Sequence, residues 1–242
     1  MNWIKMDWAK LFVLLILGVL AIAGATALPS GPSSATVIGS TTYGGAGAAN
    51  LSAIAGNVTE VNFAGVSTSQ TWQGYFGNVT GTIVLSNAQN QSLYNWALAS
   101  PSGQVYATRT ASVPAWTSIR CANASEIVAE DTVLGVNEST AQDSVNKTFL
   151  NTTAFNQFYV GGAIINTTQN CAAVNLNNGT GPSTNFQEVL LSDNANRVYT
   201  SLLTKDSNGF DNRTHDFEML VGENGHLGDT TATPYYFYLE LQ

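Results

Sequence analysis

Tyr235-Tyr-Phe-Tyr-Leu-Glu-Leu-Gln242 is the stretch that decides the fold class. Tyr235, Phe237, Leu239 and Leu241 fall on every second position, with Tyr236, Tyr238 and Glu240 between them. Successive side chains of a strand point to opposite faces, so the alternation predicts a strand. Its strongly apolar face should meet the core, and the other three side chains should face outward or line an interface. The same period returns upstream: Phe217, Met219 and Val221 alternate with Asp216 and Glu218, and Val198, Thr200 and Leu202 with Tyr199 and Ser201. A helical period fits none of these stretches.

Outward from these strands, turn chemistry marks where the chain reverses. Pro101 and Gly103 in Ser100-Pro-Ser-Gly103 suit the second and fourth places of a type I turn, predicting a hairpin of residues 93–99 with 104–109. Asp193-Asn-Ala-Asn196 predicts another, of 187–191 with 197–203. Residues 58–63, 80–85 and 158–165 read as further strands. About nine strands with turn signals between them predict an all-β fold, an antiparallel β-sandwich. One insertion departs from the pattern: 125–135 and 139–149 read as one or two short helices, with a capping box at Ser139-Thr-Ala-Gln142. No internal repeat and no break in composition divides residues 50–242, which read as a single domain.

The first 27 residues give an address. Lys5 and Lys10 precede an uncharged apolar run from Leu11 to Leu28, and Ala25-Thr-Ala27 offers the small-x-small pattern of signal cleavage. The alternative is a retained N-terminal membrane anchor, with Trp3 and Trp8 at the interface. Both readings leave the lysines on the cytoplasmic side and put the remainder outside, in the extracellular space or on the cell surface. Residues 28–49, rich in Pro, Ser, Gly, Ala and Thr, read as a flexible linker holding a short β-prone island from Ala35 to Tyr43.

Only 10% of the residues are charged, against about 25% in an ordinary soluble domain. Something else must hydrate the surface. Asn-x-Ser/Thr sequons stand at Asn50, Asn57, Asn78, Asn90, Asn123, Asn137, Asn146, Asn151, Asn166, Asn178 and Asn212. That is more than the Asn, Ser and Thr content would give by chance, and glycans there would supply the missing hydration. Cys121 and Cys171 are the only cysteines. In an oxidising exterior an isolated pair is most simply one disulfide.

Charge and motifs exclude several activities. With 8 basic and 16 acidic residues the formal net charge is −8, so no basic face exists for nucleic acid. Two cysteines cannot make an all-cysteine zinc site, neither CxxC nor HxxxH occurs, and no metal or other cofactor is expected. The Gly-x-Ser-x-Gly elbow, the P-loop and the Gly-x-Gly-x-x-Gly fingerprint are absent, and no catalytic residue is assigned. Asp211, Asp216 and Glu218, with His215 and His226, are the residues a hydrolase would use, though carboxylates on a strand's polar face are ordinarily just solvated. Asp206-Ser-Asn-Gly-Phe-Asp211 starts like a calcium loop but lacks the full spacing and reads as an Asn-Gly turn. Trp72, Tyr75 and Phe76 are candidates for stacking on sugar rings, with core filling as the competing role.

Three blocks carry a resemblance: Thr71-Trp-Gln-Gly-Tyr-Phe-Gly-Asn-Val-Thr-Gly-Thr-Ile-Val-Leu85, Leu93-Tyr-Asn-Trp96, and Gly222-Glu-Asn-Gly-His-Leu-Gly-Asp229 leading into Thr233-Pro-Tyr-Tyr-Phe-Tyr238. Over roughly residues 55–242 the chain resembles sequon-rich exported surface proteins of small-genome archaea. The resemblance implies an archaeal cell-surface setting and transfers no activity and no site residue. The expectation is a secreted or anchored glycoprotein with a structural or interaction role. The alternatives are a carbohydrate-binding module, an extracellular hydrolase, and a filament subunit whose Ala35–Tyr43 arm pairs with the next subunit's edge strand. Its partners would be surface glycans or further copies of itself.

Overall fold

The computed structural model describes residues 28–137, 140–225 and 232–242. The N-terminal apolar segment, Ser139 and His226 therefore lie outside the described residues. The strands are β1 (Trp72–Gly77), β2 (Thr82–Ser86), β3 (Ser92–Ala97), β4 (Gly103–Thr108), β5 (Arg120–Cys121), β6 (Phe158–Val160) and β7 (Ala163–Ile165). They continue with β8 (Ala173–Asn177), β9 (Pro182–Ser192), β10 (Arg197–Leu202), β11 (Ser207–Asn208), β12 (Thr214–His215), β13 (Phe217–Gly222) and β14 (Tyr236–Leu241). Two short helices, α1 (Ala124–Val133) and α2 (Val145–Thr148), lie between the cysteines.

The fold is all-β and antiparallel. One sheet runs β14-β4-β10-β9, and β5 and β8 both pair with the far edge of β9. The other pairings are two-stranded: β1 with β13, β2 with β3, β6 with β7, and β11 with β12. The large sheet is covered on both faces, and alternate residues of its strands feed two separate cores. Tyr106, Val189, Leu191 and Val198 join one cluster, closed by Trp116 and by Phe158 and Ile165 of the β6–β7 hairpin. Val105, Ala107, Leu190 and Tyr199 join the other, beneath Ile127 of α1 and Met219 and Val221 of β13.

This two-sided burial corrects the reading of the last strand. Phe237 and Leu239 pack on the second core as expected, but Tyr238 and Glu240, expected to face outward, are buried. Tyr238 meets the Trp116 ring at 5.3 Å. The Glu240 carboxylate accepts hydrogen bonds from the Tyr106 hydroxyl at 2.8 Å and the Gly161 N–H at 3.1 Å. The polar side chains of this face are thus satisfied by protein where water had been assumed. Asp216 and Glu218 are corrected in the same sense: both are buried, at 3% and 4% exposure.

The hairpin at Asp193 is found, with Arg197 opposite Ser192 and the Asp193 carboxylate accepting the Ala195 and Asn196 N–H groups. The hairpin at Pro101 is not. β3 pairs with β2, and β4 pairs with β10 and β14. The reversal comes earlier, where Asn87 Oδ1 accepts the N–H groups of Gln89 and Gln91. An Asx turn there outcompetes the Pro-Gly signal, because β4 belongs in the buried sheet while β3 is exposed along its whole length. Residues 158–165 divide into two strands at Gly161, whose φ of 54° is a turn conformation that suits glycine. The capping box of the insertion sits at Asn123, whose side chain accepts the Glu126 N–H while Glu126 accepts the Asn123 N–H. Among the described residues the segment 58–63 pairs with nothing, and after the single bridge of Ser30 to Leu239 the first strand is β1 at Trp72.

Candidate functional site

The disulfide is Cys121–Cys171, with the two Cα atoms 4.9 Å apart and 50 residues between them in sequence. It joins the end of β5 to the residues entering β8, two short strands that lie end to end along β9. Leu190 stitches the junction, accepting the Ala122 N–H at 3.0 Å and donating its own to Ala172 at 2.9 Å.

None of the eleven sequon asparagines is buried; Asn166 and Asn178 are half-buried and the rest are exposed. Three share a local geometry. The side-chain oxygen of Asn123 accepts from the Ser125 hydroxyl at 2.6 Å, that of Asn166 from Thr168 at 2.6 Å, and that of Asn178 from Thr180 at 2.7 Å. The oxygen is thereby occupied by the third residue of the sequon, and the amide nitrogen, which would carry a glycan, takes no part in that bond.

Charged groups gather where β4 and β10 end beneath α1. Arg109 donates to Glu130 at 2.6 Å, and the Tyr199 hydroxyl donates to the same carboxylate at 2.9 Å. Glu126 accepts from Arg120, Ser192 and the Asn123 N–H, and pairs with Arg197 at 3.0 Å. Partial burial opposes its ionisation, but these donors outweigh that and hold its pKa down at about 2. A cleft of about 190 Å³ opens beside these pairs. Its arginines are engaged by its glutamates, so the arrangement ties the helix to the sheet.

Of the described residues a hydrolase would use, Asp211, His215 and Glu218 gather around Gly209, with each carboxylate engaged by a backbone donor. Asp216 accepts the N–H groups of Val79 and Asp206 and so pins two loops. His215 Nε2 lies 2.9 Å from Asp211, whose other oxygen is held by Arg213. Against a desolvation cost, the His215 and Arg213 contacts hold the Asp211 pKa at about 2. Burial raises that of Glu218, which accepts the Phe210 N–H. The calcium-like segment forms the β11–β12 turn, closed by Gly209 N–H to Arg213 O at 2.8 Å. Among the described residues no group of three His, Cys, Asp or Glu could hold a metal ion. No described helix is long and apolar enough to cross a membrane.

Trp72, Tyr75 and Phe76 do not share a plane open to solvent. The Trp72 indole donates to Asp143 O at 2.6 Å and packs near Phe149 and Tyr199, and Tyr75 meets Phe237 edge-on at 5.1 Å. Phe76 alone is exposed, against Phe210 and His215.

Two exposed apolar stretches lie before residue 98. Residues 31–67 are exposed throughout and form no strand, with one turn at Ala55-Gly56 and with Val37 at 86% and Ile38 at 100% exposure. The chain touches the sheet just before this arm, where Ser30 and Leu239 exchange two backbone hydrogen bonds. Two residues on, Pro32 has no N–H to continue the ladder, and the arm departs. The β2–β3 hairpin is also exposed along both strands. From Lys10 to Arg109 the only charged residue between them is Glu60, so neither the arm nor the hairpin has the charges that usually protect strand edges. Sequence reasoning marked the arm but missed the hairpin's exposure, whose signal was this long charge-free interval. No protein-family model, curated protein or solved structure matches the chain.

Proposed function

We propose that this chain is an exported, glycosylated cell-surface subunit that associates with copies of itself by strand donation, with Ala35–Tyr43 as the donor. The observation that carries the reading is the arm: a β-prone, charge-free segment that is exposed along its length and joins no strand among the described residues, its Tyr43 carbonyl accepting from Thr68 Oγ1 at 3.3 Å. Extended segments with free N–H and C=O groups and apolar side chains add readily to open strand edges. Export is supported by the N-terminal apolar segment and the disulfide, and glycosylation by the exposure of the sequons. An archaeal surface rests on the resemblance alone. The test compares exported protein with and without residues 31–45, sized by analytical ultracentrifugation and viewed by electron microscopy. The full arm should give oligomers or filaments and the deletion monomers. A full-length protein that stays monomeric at high concentration, or oligomers that survive the deletion, would refute it.

A further inference from the structure

We propose that the acceptor for the arm is the β2–β3 hairpin of a second copy; this rests on the strand-donation reading above. The hairpin is the least self-sufficient part of the fold. An isolated two-stranded ribbon is at best marginal in water, and among the described residues no third strand pairs with this one. Its register sets Ile83 opposite Trp96 and Leu85 opposite Tyr94, so these four side chains share one face. They are exposed at 40%, 47%, 51% and 59% in the order Ile83, Trp96, Leu85, Tyr94. The Tyr94 and Trp96 rings meet at 4.8 Å, giving an aromatic strip along the edge strand.

The donor matches this acceptor. Ala35, Val37 and Tyr43 fall on one face of an extended Ala35–Tyr43 and would extend the apolar face of the hairpin. Neither partner carries a charge, so pairing desolvates none. The sequons flank the contact: Asn50 and Asn57 lie beyond the donor, Asn78 precedes β2, and Asn90 is in the turn. Glycans at those four places would leave the donor and both hairpin edges open. The occupant is a second copy because residues 31–67 of the same copy are exposed throughout and cover nothing of their own hairpin. Reach is set at Ser30: five residues, up to about 17 Å of chain, separate it from Ala35, so the partner's hairpin docks beside the β14 edge of the donating copy. The competing edge, β14, is already paired at Leu239 with Ser30.

Three variants of the exported protein test this. The first lacks residues 31–45, the second carries Ile83→Thr and Trp96→Thr, and the third carries Tyr159→Thr and Ile164→Thr, a similarly exposed pair on the outer face of the β6–β7 hairpin. Association is measured by sedimentation velocity, and thermal unfolding followed by circular dichroism reports folding. The β2–β3 variant should associate about tenfold or more weakly with its melting unchanged, as loss of an aromatic anchor does. The β6–β7 variant should match wild type. Mixing the arm deletion, which keeps an acceptor, with the β2–β3 variant, which keeps a donor, should give a discrete one-to-one dimer. A peptide of residues 33–45 should bind the arm deletion and not a deletion that also carries the β2–β3 changes. That arm needs no folded hairpin mutant to fail: no binding to the arm deletion overturns the assignment. If the arm deletion abolishes association while the β2–β3 variant still assembles, the hairpin assignment is wrong and strand donation stands. If neither change affects assembly, both are wrong.

Discussion

Replacing both Cys121 and Cys171 with Ala isolates the contribution of the cross-link. Cys171 is buried in the first core, and Cys121 packs against it half-buried, so alanine keeps both sites apolar. With the cysteines 50 residues apart in sequence, the chain-entropy relation gives about 4 kcal/mol of lost stability. For a domain of this size each kcal/mol moves the midpoint by about 2–4 °C, so Tm should fall by about 8–16 °C. The denaturant m value should rise, because the unfolded chain is no longer closed into a loop and exposes more surface. A local effect should accompany the global one. β5 meets β9 through only two residue pairs, Arg120 with Ser192 and Cys121 with Leu191, and α1 follows directly. Hydrogen exchange in α1 should therefore accelerate more than in β10. Thermal and urea unfolding of the two proteins, with exchange read by mass spectrometry, checks all of this. A midpoint within about 2 °C of wild type would show that the bond adds nothing to an edge already held by backbone pairing.

Glu188 is fully buried; one carboxylate oxygen accepts the Leu220 N–H at 2.8 Å and the other has no hydrogen-bond partner. Burial pushes its pKa well above the ordinary 4.5, so its folded form holds the proton, and its contribution falls as pH rises from 4.5 toward the folded value. Glu188→Gln should remove that decline, its advantage over wild type growing by up to about 1.4 kcal/mol per pH unit in that window; parallel urea curves across the window would contradict this. Glu126 acts in the opposite direction: its stabilisation is full above the unfolded value and is lost as pH falls toward about 2, so Glu126→Gln should flatten the acid limb of the unfolding profile. Ending the chain after Thr233 removes β14 and forfeits on the order of 6 to 12 kcal/mol of apolar burial, enough to unfold a domain; a cooperative transition at the wild-type midpoint would refute it. Protein from its native host should be heavier than the bare polypeptide, with glycopeptides at three or more sequons; an intact mass equal to the polypeptide would exclude occupancy.

Period-two alternation located β10, β13 and β14, because strand geometry writes itself directly into spacing. It did not reveal what covers each face. Asp216, Glu218 and Glu240 looked solvated because a carboxylate is ordinarily wet, yet each is held by backbone or hydroxyl donors, from segments distant in sequence for Asp216 and Glu240 and from the neighbouring turn for Glu218, which spacing cannot show. The hairpin at Asp193 was legible because its turn caps itself locally. The one at Pro101 misled, since turn chemistry gives the place of a bend and not the partners of the strands beside it. The disulfide followed from there being one possible pair. The stretch 58–63 reads as a strand and pairs with nothing described, because a local pattern does not fix which strand, if any, lies beside it.

The Cys121–Cys171 bond closes a covalent ring that contains α1, α2, β6 and β7 and five of the sequons, Asn123, Asn137, Asn146, Asn151 and Asn166. Exposed loops are where proteases cut first. A single cut inside this ring breaks the backbone without releasing a piece, so a nicked molecule keeps every strand of the large sheet attached until the bond is reduced.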